Sequence, residues 1–213
     1  MSGSLYYSRY GVELWHGDCV ELSRVWTGAD VLLTDPPYGV QVRSLHKAQR
    51  RVNGGVHISG DDSTVLRDRA LELWREVDPE GVKPVAVFGS WKQPRPVWTR
   101  QRLIWDKRPS DLANLKQVFN QRDEEIYIWG EGWVRSTAAP SSTLSVHSPQ
   151  AAMSARLGHA MAKPVEVLQR LLGRMVIPEG GVIADPFAGV GSTLVAAGLL
   201  GLGAVGVELE ERF

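Results

Sequence analysis

Short apolar runs alternate with segments of helical spacing along most of the chain, and this alternation restricts the fold more than any other feature. It predicts an α/β fold with a mostly parallel, twisted sheet and helices on both faces. The predicted strands cover residues 12–15, 31–34, 84–88, 103–105, 125–129, 182–184 and 204–207. The predicted helices cover residues 20–26, 66–77 and 193–202, and Lys163-Pro164 opens a further one with Pro164 at its first position. The strands at 103–105 and 125–129 are expected to form an antiparallel edge hairpin.

The length and composition fit one domain with a full hydrophobic core. The chain has 213 residues, 43% of them hydrophobic, and its 24 basic and 24 acidic side chains give a formal net charge of zero. Its one cysteine, Cys19, excludes an intramolecular disulfide, and no apolar run is long enough to cross a membrane. The first residues lack a signal-peptide pattern, so we expect an intracellular protein with no membrane partner. The five histidines lack ligand spacing, so no metal site is predicted.

The sequence Asp35-Pro36-Pro37-Tyr38 directly follows a predicted buried strand. The prolines end the strand and hold Asp35 in extended geometry, and their own carbonyls remain available as acceptors. A carboxylate, a rigid carbonyl and an aromatic face therefore lie within four residues, a set that suits an exocyclic amine on a flat ring. An ordinary Asp-Pro turn with a core tyrosine is the alternative for such a short motif.

A second motif, Asp185-Pro186-Phe187-Ala188-Gly189-Val190-Gly191-Ser192-Thr193, lies between a predicted strand and a predicted helix. Its glycines allow backbone N–H groups to approach a ligand, and the helix N-terminus favours a negative group. It lacks the Gly-Lys-Ser/Thr of a P-loop and the G-x-G-x-x-G of dinucleotide-binding folds. Glu208 ends the next strand, where an acid commonly holds ribose hydroxyls. The alternative is a strand-to-helix turn with packing glycines.

Together these motifs resemble the amino-group DNA methyltransferases of the β arrangement, in which the catalytic motif precedes the cofactor motif. The matching stretches are 35–38, His159 with Lys163-Pro164, 185–193 and Gly206-Val207-Glu208. The resemblance implies a Rossmann-like methyltransferase fold with a circularly permuted motif order, as one catalytic domain over residues 1–213. In that fold the strands before Asp18, Asp35, Asp185 and Glu208 are neighbours, so the four acids meet at one edge. A prokaryotic or phage-encoded, cytoplasmic protein is also implied.

S-adenosylmethionine is the cofactor that the resemblance implies, with no metal. Its methionine end would contact the glycine motif, its ribose Glu208 and its adenine amine Asp18. Lys163 and His159 resemble the motif that helps to close this pocket, although the family's His-Pro-Thr/Ser-x-Lys-Pro is His-Ala-Met-Ala-Lys-Pro here. A surface or capping role is the alternative for His159. The expected cofactor-binding residues are Asp18, Asp35, His159, Lys163, Asp185, Phe187, Ala188, Gly189, Gly191, Ser192, Thr193 and Glu208.

The implied reaction is methyl transfer to an amine of a base flipped out of double-stranded DNA. The expected catalytic residues are Asp35, Pro36, Pro37 and Tyr38, with Tyr38 stacking on the base. No covalent intermediate is needed, which fits a chain whose Cys19 is remote from any Pro-Cys motif. Asp at the first motif position favours adenine N6, with cytosine N4 as the alternative. A non-catalytic DNA-binding partner on the same fold is the alternative from another class.

Two basic stretches are candidate phosphate contacts on this neutral protein, with solvated surface as the alternative. One lies in a basic loop expected to be mobile, residues 39–63, and the other follows the predicted strand 84–88. The candidate DNA-binding residues are Arg43, Lys47, Arg50, Arg51, Lys92 and Arg95. Residues 130–158 are interpreted as a possible small target-recognition insert. The tryptophans at 91, 98, 105, 129 and 133 are expected to pack in the core or at the sheet edge. A homodimer and a restriction-enzyme partner stay open alternatives.

Overall fold

A nine-stranded sheet organises the part of the chain that the structure, a computed structural model, describes: residues 3–37, 63–107, 118, 122–135, 140–147 and 162–211. The strands are β1 (Ser4–Arg9), β2 (Val12–His16), β3 (Val31–Thr34), β4 (Val85–Gly89), β5 (Gln101–Asp106), β6 (Asp123–Trp129), β7 (Thr143–Ser145), β8 (Val182–Asp185) and β9 (Gly203–Glu208). The helices are α1 (Ser23–Trp26), α2 (Val65–Val77), α3 (Val165–Leu172) and α4 (Ser192–Leu199).

The sheet order is β1-β2-β9-β8-β3-β4-β6-β5-β7. The five strands from β2 to β4 in this order are parallel, so their carboxyl ends share one edge. Strand β6 runs antiparallel to β4 and pairs Glu125 with Gly89. The first residues of β6 therefore lie at the same edge as the last residues of β4.

Apolar clusters lie on the two faces of the sheet. Successive residues of the fully buried β3 alternate between them, because side chains of a strand point to opposite faces. One cluster includes Leu168 of α3 and Leu194 of α4. The other includes Trp26 of α1 and Trp74 of α2, whose rings stack with centroids 6.4 Å apart. The predicted two-faced α/β layering is therefore confirmed.

Several predicted element boundaries were wrong. The hairpin of β5 and β6 is not the edge, because β7 pairs with β5 outside it. Strand β1 closes the other side of the sheet, and sequence reasoning missed it because all six of its residues are exposed and show no alternation. Pro164 is the N-cap of α3, in extended geometry, rather than its first helical residue. Among the described residues, no helix is long and apolar enough to span a membrane.

Candidate active site

The four acids singled out in the sequence follow or end four adjacent parallel strands. The strands lie in the order β2, β9, β8, β3. Glu208 and Asp185 are the last residues of β9 and β8, whereas Asp18 and Asp35 follow β2 and β3. The glycine motif and the Asp-Pro-Pro motif thus leave neighbouring strands, since β8 pairs directly with β3. This edge is where ligands bind in open α/β sheets.

The glycine loop is held against β9 by backbone and carboxylate contacts. The Ala188 N–H donates to the Val207 carbonyl at 2.9 Å, and the Gly189 N–H donates to Glu208 Oε2 at 2.7 Å. Gly191 caps α4 with a φ of +78°, and a Cβ added there would meet nothing within 4 Å. The loop backbone at Gly191 therefore faces open space that a ligand can enter.

Asp185 is buried and shapes the turn between β8 and the glycine loop. Its Oδ1 accepts a hydrogen bond from Thr34 Oγ1 at 2.7 Å and one from the Phe187 N–H at 3.1 Å. Burial raises the pKa of Asp185 to about 6, against the opposing effect of hydrogen bonds from Thr193, Thr34 and Phe187. The carboxyl group therefore ties β3 to the loop from beneath.

Asp18 organises the turn after β2. Its Oδ1 accepts hydrogen bonds from the Val20 N–H at 2.7 Å and the Glu21 N–H at 3.3 Å. The adjacent Cys19 is buried, and its burial, with the negative charges of Asp18 and Glu208, raises the pKa of its thiol to about 12. Cys19 is therefore a neutral core side chain and not a nucleophile.

Asp35 is a quarter exposed and forms an ion pair with Lys163, whose Nζ lies 2.5 Å from Asp35 Oδ2. Lys163 directly precedes Pro164 and is almost fully buried. Its ammonium also lies 5.1 Å from the centroid of the Phe88 ring, at the end of β4. Lys163, predicted as a cofactor contact, therefore lies against Asp35, the acid of the Asp-Pro-Pro motif.

Sequence reasoning missed Glu124, which is the second carboxylate on Lys163. Glu124 Oε2 lies 3.3 Å from Lys163 Nζ, and its Oε1 lies 2.5 Å from Lys107 Nζ. Although burial raises the pKa of Glu124, the two lysines lower it below its ordinary value. The predicted strand began at residue 125, so Glu124 was placed in the preceding loop, and no pattern along the chain links it to Lys163.

The loop after β4 carries Trp91, Lys92 and Arg95, all exposed. Trp91 is 64% exposed, so the expected packing role is wrong for this tryptophan, and Lys92 Nζ lies 5.8 Å from its ring centroid. The loop is anchored from α2, because the buried Arg67 donates to the Pro94 carbonyl at 2.9 Å. Both predicted phosphate contacts of this stretch therefore sit on a supported loop beside the edge that carries Asp35.

The other predicted site residues divide into two groups. Pro36 and Pro37 follow Asp35 at the end of β3, and Ala188, Ser192 and Thr193 lie in the glycine loop and the start of α4. Tyr38, Arg43, Lys47, Arg50, Arg51 and His159 lie outside the described residues. Within the described ranges, no group of three or more His, Cys, Asp or Glu side chains has the arrangement of a metal site.

An open sheet with a glycine loop and several acids at its carboxyl edge defines a class of α/β proteins that bind nucleotide-like ligands there. The sequence model of one family of this class, described as DNA methylase, matches residues 29–213. The chain belongs to this family of N6- and N4-directed DNA methylases, and the resemblance seen in the motifs is confirmed.

Individual relatives agree with this assignment. YubD of Escherichia coli strain K12, named as a methylase, is 29% identical over 92% of this chain and 84% of its own length. The type II methyltransferase M.MthZI of Methanothermobacter thermautotrophicus is 25% identical over 91% of this chain and 56% of its own length.

Solved structures share the fold at lower identity. The M1.HpyAVI–SAM complex has a TM-score of 0.60 at 15% identity and is matched over 94% of this chain and 95% of that chain. The PvuII DNA methyltransferase, described as cytosine-N4-specific, has a TM-score of 0.62 at 12% identity, over 97% of this chain and 86% of that chain. The predicted Rossmann-like methyltransferase fold is confirmed by these neighbours.

Proposed function

We propose that this protein transfers a methyl group from S-adenosylmethionine to the N6 amine of an adenine flipped out of double-stranded DNA. The observation that supports it most is the adjacency of β3, which presents Asp35, and β8, which presents the glycine loop. A donor pocket and an acceptor clamp on neighbouring strands can share one opening. The enzyme, prokaryotic or phage-encoded, would act in the cytoplasm.

The residues present fit the cofactor. The open space at Gly191 lets the loop backbone and the first turn of α4 approach a carboxylate. Glu208 ends β9, and Asp18 follows the neighbouring strand β2, on the far side of the loop. There, carboxylates can accept hydrogen bonds from ribose hydroxyls and from an adenine amine. When bound, S-adenosylmethionine supplies an electrophilic methyl group, whose C–S bond breaks as the C–N bond forms.

Asp35 and the Pro36 carbonyl hold the amine of the target base. Asp35 and the Pro36 carbonyl accept hydrogen bonds from the two N–H groups of the amine. These bonds make the nitrogen lone pair more available and direct it at the methyl group, so positioning and fixed charges provide the catalysis. Nitrogen gains a positive charge on transfer and then releases one proton, to the Asp35 carboxylate or through it to water. Cys19, neutral and buried, takes no part.

Lys92 and Arg95 contact the DNA backbone near this opening. Their loop follows β4, next to β3, and is anchored by Arg67. Each phosphate contact releases counterions, so binding should weaken steeply with added salt. The exposed Trp91 can support an unstacked base beside them.

The test is methyl transfer from labelled cofactor to DNA, followed by digestion to nucleosides. We expect label in N6-methyladenine, and Asp35→Ala to abolish transfer while cofactor affinity, measured by calorimetry, stays near that of the wild type. Label confined to cytosine would contradict the adenine assignment and support N4 transfer, the specificity carried by the PvuII enzyme's name. A wild type that binds DNA but no cofactor would instead be a non-catalytic partner on this fold.

A further inference from the structure

Four side chains of alternating charge form a continuous ion network behind the acceptor motif. Asp35 Oδ2 lies 2.5 Å from Lys163 Nζ, which lies 3.3 Å from Glu124 Oε2, and Glu124 Oε1 lies 2.5 Å from Lys107 Nζ. Asp35 and Lys107 directly follow β3 and β5, Glu124 lies near the start of β6, and Lys163 directly precedes the N-cap of α3. Asp35 and Lys163 belong to motifs recognised in the sequence, whereas Glu124 and Lys107 do not.

The network is buried at its centre. Lys163 is 4% exposed and Glu124 9% exposed in their side chains, whereas Asp35 is 25% exposed. An enclosed ammonium is costly unless carboxylates compensate it. Although burial lowers the pKa of Lys163, Asp35 and Glu124 together raise it above its ordinary value, so the ammonium keeps its proton.

We propose that Glu124 is a positioning residue for methyl transfer, which acts through Lys163 to hold the Asp35 carboxylate in place. This inference rests on the proposed function, in which Asp35 receives the amine of the target base. Two carboxylates fix the ammonium from two sides, and the ammonium in turn fixes Asp35 Oδ2. A displacement of a reacting group by about 1 Å costs about 100-fold in rate, so such support matters.

The charge of Glu124 matters as well as its position. Lys163 faces Asp35 from the end of β3, Glu124 from β6 and the Phe88 ring from β4, while Asp35 also interacts with the buried Asp185. Without the charge of Glu124, the network would hold two cations, Lys163 and Lys107, and only one carboxylate, that of Asp35. Asp35 would then be a poorer acceptor for an uncharged amine, and Lys163 would lose its proton at lower pH.

The experiment compares Glu124→Gln, Glu124→Asp and the matched control Glu125→Gln by kcat, KM for each substrate and pH profile. Glu125 is the next residue, is also buried, and bonds Arg102 at 2.8 Å and the Tyr127 hydroxyl instead of Lys163. We expect Glu124→Gln to lower kcat about 10- to 100-fold with little change in KM for the cofactor. Its rate should also begin to decline at a lower alkaline pH than that of the wild type, because Lys163 loses one of the two carboxylates that raise its pKa.

Glu124→Asp separates position from charge. It keeps the carboxylate but shortens the side chain, so we expect a lowered kcat with the alkaline plateau of the rate retained. This variant also tests the proposal if Glu124→Gln fails to fold. A wild-type kcat in Glu124→Asp would overturn the proposal. A folded Glu124→Gln variant with the wild-type pH profile would also overturn the proposal. So would one whose rate falls by the same factor at every pH, which is the largest effect expected of Glu125→Gln. If the wild type itself transfers no methyl group, the proposed function fails first, and that result is distinct.

Discussion

At the scale of single residues, Asp185 shows how a buried motif acid can shape the turn that carries the glycine loop. The carboxyl group is buried under the glycine loop and accepts from Thr34 and the Phe187 N–H. An acid whose pKa is higher in the folded than in the unfolded protein favours folding when protonated. Asp185 therefore links the stability of the loop to pH.

The free energy of unfolding should fall as the pH rises from about 4 to about 6, because the unfolded protein releases this proton first. The contribution of Asp185 over that window is about 3 kcal/mol. Asp185→Asn keeps an acceptor for Thr34 and removes the titration, so its urea unfolding curves should vary less with pH than those of the wild type.

Thr34→Val keeps the Asp185 carboxyl group but removes a hydrogen bond that it accepts, and so should raise the pKa of Asp185 further. The Thr34 hydroxyl donates to the carboxylate and lowers the pKa of Asp185, so its removal should extend the decline in stability to higher pH. Parallel pH profiles for the wild type and Asp185→Asn would show that Asp185 does not titrate in this range.

The sequence predicted site residues that lie within a local motif. It did not predict those whose partners are distant in the chain and come into contact only in the folded protein. Asp35 and Glu208 follow strands that could be recognised from their apolar residues. Glu124 lies 39 positions from Lys163 and 89 from Asp35, so only the folded sheet brings the three together. The acidic residues 123–125 at the start of β6 resembled the end of a loop in the sequence.

At the scale of elements, α2 supports the basic loop after β4 through one buried guanidinium. Arg67 donates to the Pro94 carbonyl and pairs with Asp68, and its side chain is 3% exposed. Arg67→Met removes the donor and leaves that carbonyl without its partner. We expect faster hydrogen exchange in residues 90–98 and weaker DNA binding, with cofactor affinity unchanged.

Arg69→Met is the control on the same helix. Arg69 is exposed and pairs with Glu72 and Glu76 on its own helix. Exposed pairs of this kind are screened by solvent and contribute little to stability, so neither hydrogen exchange in the loop nor DNA affinity should change. Equal effects of the two variants would mean that net charge, and not the anchor, governs binding.

The elements that could be predicted are those with a buried face. The central strands β3, β4 and β8 were recognised because burial on both faces gives continuous apolar runs. The outer strand β1 is exposed throughout and β7 is only three residues long, so their sequences resemble loops. Their pairing comes from backbone hydrogen bonds with a neighbour, which composition does not encode.

At the scale of the whole molecule, cofactor binding and folding are linked. A ligand that binds only the folded protein adds about 2.7 kcal/mol of stability at 100 times its Kd. For a protein of this size we expect S-adenosylmethionine to raise Tm by about 5–10 °C in a thermal-shift assay. Asp35→Ala should show the same rise, whereas an absent rise in the wild type would contradict cofactor binding.

Strand β9 lies between β2 and β8, although β2 comes near the start of the described chain and β9 near its end. As the polypeptide leaves the ribosome, β2 and β8 have no shared neighbour until β9 arrives to pair with both. The half of the sheet that carries the glycine loop is thus completed by β9, the last of the described strands, while β3, β4, β5 and β6 have all been synthesised before it. A nascent chain halted before residue 203 contains β3, β4 and β8 but lacks Glu208, whose carboxylate holds the glycine loop through the Gly189 N–H.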